Sequence, residues 1–178
     1  MTRYGKLAIL TILAGCSSGL DSGVQGDKPV SALDTAEATD LCEATVEYLE
    51  NTVPASYVQE RQCTIRALST TTTPTECEAD LSACLEDPPS DDFFGDLTCD
   101  MAGPVDDCNA TVDAVEACWT ADTEIYKTWL DEFTCDDAGN LPVLMELRDP
   151  PPVPQECIDA GAMGCDELTD GLYGRGEG

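Results

Sequence analysis

From residue 40 onward, apolar positions recur at the three- and four-residue spacing of amphipathic helices, and start and stop signals bracket each run. Asp40-Leu41-Cys42-Glu43 has the form of a capping box, followed by Leu41, Thr45, Tyr48 and Leu49 on one face until Pro54. Ser56-Tyr57-Val58-Gln59 repeats the start, with Val58, Ile65 and Leu68 behind it. Thr73-Pro74-Thr75-Glu76 places proline at a first helical position, and Cys77, Leu81, Cys84 and Leu85 form a stripe that Pro88-Pro89 ends. A fourth helix is predicted from near Pro104 through Cys108, Val112, Val115 and Trp119. Ile125, Trp129, Leu130 and Phe133 continue it, or form a fifth helix after a break near Asp122. Beyond Pro150 to Pro154 a short last helix carries Cys157 and Cys165. Alternating β-branched runs are few and Asn-Gly turns absent, so the pattern predicts an all-α domain over 40–170 of about five or six short helices.

The N-terminus follows a different pattern. Arg3 and Lys6 precede a largely apolar run from Leu7 to Ala14. As a helix that run is roughly 12 Å long, well short of the ~30 Å hydrocarbon core, so residues 1–15 read as a signal segment rather than a span. Leu13-Ala14-Gly15-Cys16 resembles the lipobox of bacterial lipoproteins. That resemblance implies acylation of Cys16, which becomes the mature N-terminus. Asp directly after that cysteine marks inner-membrane retention in the family; Ser17 stands there instead, which implies an outer-membrane destination in the cell envelope. Residues 17–39 are rich in Gly, Ser and Asp with isolated apolar positions, and they predict a flexible tether of roughly 25–30 Å. The tail, 171–178, reads as disordered.

Cleavage before Cys16 removes Arg3 and Lys6, leaving six basic residues against 36 acidic, a net charge of −30. Such a body repels nucleic acid and anionic lipid, so the expected partners are the membrane, through the anchor, and an envelope protein. Ten cysteines remain: Cys42, Cys63, Cys77, Cys84, Cys99, Cys108, Cys118, Cys135, Cys157 and Cys165. An even number in an exported chain, with no CxxC pair and no histidine, points to five structural disulfides rather than a zinc or redox site. The fold expected is therefore a disulfide-stapled helical bundle. Cys77 and Cys84, seven residues apart on one helix, stand roughly 10 Å apart along its axis, beyond bridging distance. Cys108 with Cys118, and Cys157 with Cys165, are disfavoured likewise. Three helices running up, down and up suggest Cys42–Cys77 and Cys63–Cys84.

Leu97-Thr98-Cys99-Asp100-Met101-Ala102-Gly103 is echoed by Phe133-Thr134-Cys135-Asp136-Asp137-Ala138-Gly139, as in two related helix-plus-loop units. The stretch Cys108 to Cys118, with Thr134-Cys135 and Pro154-Gln155-Glu156-Cys157, resembles cysteine-rich lipoproteins of Gram-negative bacteria, a family that lends no activity. Without histidine the Ser-His-Asp and Cys-His arrangements are excluded, and no catalytic residue, cofactor or metal ligand set is assigned. The function expected is that of a non-enzymatic, lipid-anchored envelope protein with a structural or interaction role. The alternative is a calcium-binding envelope protein, with Asp91, Asp92 and Asp96, or Asp136, Asp137 and Asn140, as oxygen donors outside the EF-hand pattern. Tyr126, Trp129 and Phe133 form either core or an exposed contact patch.

Overall fold

A computed structural model describes residues 19–89, 99, 103 and 105–165. The signal segment and Cys16, the acids Asp91, Asp92 and Asp96, most of the first echo and the 171–178 tail lie outside the described residues. Within them the protein is all-helical: α1 (Thr35–Thr52), α2 (Ala55–Thr70), α3 (Pro74–Glu86), α4 (Val112–Asp131), α5 (Leu141–Glu146) and α6 (Gln155–Gly161).

The first helix starts earlier than its predicted box. Asp34 is the N-cap: its Oδ1 accepts from Glu37 N–H at 3.0 Å, and Glu37 Oε2 accepts from Asp34 N–H at 2.9 Å. The residues Asp34 and Glu37 have the same spacing as Asp40 and Glu43, and packing selects between the two boxes. Leu33, just before the upstream cap, and Ala38, in the first turn, are both buried in one core, which is the hydrophobic-staple arrangement. Pro54 stands at the N-cap of α2, two residues before the Ser56 start expected for it, and Ser56 lies inside the first turn. Thr73 caps α3 with Pro74 in its first turn, as predicted. The fourth helix starts at Thr111, whose hydroxyl accepts from Ala114 N–H, rather than near Pro104, and it runs unbroken through Asp122. Six-residue α5 was not anticipated.

α4 joins two cores. Its N-terminal half contributes Val112, Val115 and Cys118 to a core with Val30, Leu33 and α6 residue Ala160. Toward its other end, Trp129 and Phe133 pack against Ala67, Leu68 and Cys77, with Val143 and Leu144 of α5 over them. Twenty residues of helix are about 30 Å long, enough to reach both. Tyr126, Trp129 and Phe133 therefore belong to packing: successive rings lie 5.2 Å apart and Phe133 is 2% exposed.

Five disulfides close the body: Cys42–Cys99, Cys63–Cys84, Cys77–Cys135, Cys108–Cys165 and Cys118–Cys157, with Cα separations of 4.5–5.8 Å. The pairing Cys63–Cys84 follows from the antiparallel α2/α3 hairpin. Cys42–Cys77 is not formed, because α1 packs against α4 rather than α3, while α3 meets the short turn Cys135–Asp137. Of the twenty buried apolar residues among those described, six are half-cystines, so sulfur rather than large side chains fills much of the interior.

The expected tether, 17–39, is also replaced over its described part, 19–39: residues 35–39 belong to α1, and 19–34 lie along the body. From Leu20 to Val30 alternate residues turn inward, and Leu20, Val30 and Leu33 are buried. Several inward positions are Ser22, Gly26 and Lys28, small or polar, so the segment lacks the apolar alternation that marks a packed strand.

Candidate functional site

This N-terminal strap is the feature with most bearing on function, because it fixes where the chain enters the body. It runs antiparallel to α4. Leu20 N–H donates to Thr120 Oγ1 at 3.0 Å, and Ser22 N–H donates to Glu116 Oε1 at 2.8 Å. Further along, Val30 N–H donates to the Ala110 carbonyl and Ser31 N–H to that of Cys108, both at 2.9 Å.

The strap also completes α4. The first amides of a helix have no partner within it. Here Val112 N–H donates to the Lys28 carbonyl at 3.0 Å and Asp113 N–H to the Gly26 carbonyl at 2.9 Å. A Cβ on Gly26 would stand 1.9 Å from Asp113 Oδ1, so a larger residue there would displace that exposed side chain. Lys28 pairs with Glu37, so the strap is tied to α1 as well. That hydrogen bond, together with the Asp34 amide, holds the Glu37 carboxyl below its ordinary value.

A second polar cluster joins α2 to the far end of α4. Tyr57 donates its hydroxyl to Asp131 Oδ1 at 3.0 Å, and Lys127 Nζ donates to Asp131 Oδ2 at 2.7 Å. Lys127 lies 4.8 Å and Arg61 5.6 Å from the Tyr57 ring centre. Burial pushes the Tyr57 hydroxyl well above its usual value, and its bond to the carboxylate adds to this. Burial opposes ionisation of Asp131, but the hydrogen bonds from Lys127 and Tyr57 outweigh it and leave the pKa lowered. Both clusters link one helix or strap to another, which makes them packing junctions.

Of the candidate calcium donors, Asp137 is committed elsewhere: its Oδ2 accepts from Thr134 N–H at 3.0 Å and from the Thr134 hydroxyl at 3.2 Å. Asp136 is exposed, and Asn140 is the N-cap of α5. Among the described residues no three acids, cysteines or histidines gather at a spacing that holds a metal ion. No helix among them is long and apolar enough to cross a membrane. All ten cysteines of the body are in disulfides. The strap was missed by sequence reasoning, although Leu20, Val24, Val30 and Leu33 were the apolar signal available for it.

Comparison of the chain with protein families, curated proteins and solved structures finds no match. A disulfide-rich helical body of this kind fits an envelope or secreted structural protein.

Proposed function

We propose that this protein is a lipid-anchored component of the bacterial cell envelope, acylated at Cys16, whose folded body serves a structural or interaction role rather than catalysis. One conjunction supports the reading: a lipobox-like Leu13-Ala14-Gly15-Cys16 precedes a body closed by five disulfides. The first feature addresses the chain to a lipidation pathway, and the second requires an oxidising compartment. Each acyl CH₂ buried contributes about 0.8 kcal/mol, so more than one chain makes a durable anchor. Ser17 after the cysteine favours the outer membrane. The shifted carboxyls of Glu37 and Asp131 are each bonded to a lysine where one element meets another, in keeping with a structural role.

Intact-mass and peptide analysis of protein taken from the membranes of its own host tests this. The expected product starts at Cys16, carries acyl mass there and holds its ten other cysteines oxidised. A soluble product cleaved elsewhere, with an unmodified Cys16, refutes the anchor. Ser17→Asp is expected to move the protein to the inner-membrane fraction on a density gradient.

A further inference from the structure

Only Ser17 and Ser18 separate Cys16 from Gly19, where the described strap begins. Consecutive Cα atoms are 3.80 Å apart, so three steps put the Cys16 Cα no more than about 11 Å from that of Gly19. Gly19 lies against α4: a Cβ built on it would sit 3.3 Å from the Thr120 side chain, and the next amide, of Leu20, donates to Thr120 Oγ1. The chain thus leaves the body beside the middle of a 20-residue helix, not at the end of a long linker. From Thr120, α4 extends roughly 12 Å toward Val112 and roughly 16 Å toward Asp131 at 1.5 Å per residue. Standing on its Asp131 end, α4 would reach well past the level that a connection of about 11 Å permits, and standing on its Val112 end it would use up the whole of that connection.

We infer that the body is seated directly on the bilayer around its own acyl chains, with α4 nearly parallel to the surface and the outward side of the strap at Gly19, Asp21 and Gly23 turned toward the headgroups. The inference rests on the anchor proposed above. It names the surface as zwitterionic. Asp21 is exposed on this stretch, Glu116 carries the Ser22 contact, and the strap's lysine is already paired with Glu37. With a net charge of −30 after cleavage, the body is repelled by anionic lipid, whereas ammonium-bearing headgroups meet those carboxylates favourably. Cross-strap bonds to Thr120, Glu116, Ala110 and Cys108 set the orientation, because they leave the entry point no freedom to swing.

Neutron reflectometry of the acylated protein in a supported phosphatidylcholine bilayer reads the arrangement directly. A dense protein layer beginning at the headgroups, without an intervening water-rich gap, is expected. Insertion of twelve Gly/Ser residues between Ser18 and Gly19 is expected to open a gap approaching 20 Å, the coil length of that linker. A gap of roughly 25–30 Å in the unaltered protein, the span of a free 17–39 coil, overturns the inference. Rapid hydrogen exchange at Leu20, Ser22, Val30 and Ser31 in protein with proven acyl mass overturns it equally. Failure of the anchor reads differently: no acyl mass at Cys16 and no protein layer after washing.

Discussion

Gly139 closes the turn behind Cys135 with φ +79°, and a Cβ there would stand 2.5 Å from the Thr72 carbonyl oxygen. Backbone cannot step aside as a side chain can, so Gly139→Ala is expected to destabilise by about 1–3 kcal/mol, seen as a Tm lowered by several degrees. Asp131 gives a pH signature. Its folded pKa lies below the ordinary carboxylate value, so its contribution is complete above about pH 4 and is lost as pH falls through the lower folded value. Asp131→Asn should therefore lower Tm at pH 6, and the gap to the unaltered protein should close toward pH 2; thermal melts across that range decide it. The exposure of the carboxylate, 44% at the side chain, keeps the effect small. At this scale, the Thr73 cap was legible, whereas α2 starts at Pro54 rather than at the expected Ser56. Nor was the cap legible where two boxes shared a pattern, and the clue that separates Asp34 from Asp40 is the Leu33/Ala38 pair astride the first.

Among the elements, α4 depends on a partner outside itself. In most helices the first amides face water, yet Val112 and Asp113 N–H bond to strap carbonyls. Hydrogen exchange is expected to find both amides protected. Val30→Asp, which places a charge at a position 3% exposed, should release the strap, unprotect those amides and cost several kcal/mol. The three N-terminal helices were legible because Pro54, Pro74 and Pro88 punctuate them. The start of α4 was less so: Pro104 suggested a first turn, but the segment through Cys108 and Ala110 is spent pairing with the strap before Thr111 caps the helix. Short α5, with Leu141 and Met145 outward, has no continuous apolar face for a periodicity argument to find.

For the whole molecule, two small cores share a single long helix and are closed by sulfur. Reduction in mild conditions is expected to collapse the helical circular dichroism signal and open the body to protease, since each bridge contributes about 2–4 kcal/mol against a total of 5–15. Persistence of native exchange protection in reductant contradicts this. Class and cross-linking were legible in composition and cysteine parity, because both are properties of the chain as a list. Of the connectivity, Cys63–Cys84 was legible from the α2/α3 hairpin; Cys42–Cys77 failed because pairing depends on which helices dock, and α1 chooses α4 over α3.

Placed in order along the chain, the ten half-cystines join first to fifth, second to fourth, third to eighth, sixth to tenth and seventh to ninth. None is bonded to its immediate successor. An oxidant that couples thiols in the order in which they emerge produces a wrong link at every step, beginning with Cys42 and Cys63. Maturation thus requires either helix docking ahead of oxidation or a catalyst that exchanges mispaired bonds. Yield of the correctly linked form should then follow the supply of a disulfide isomerase more closely than that of the oxidant.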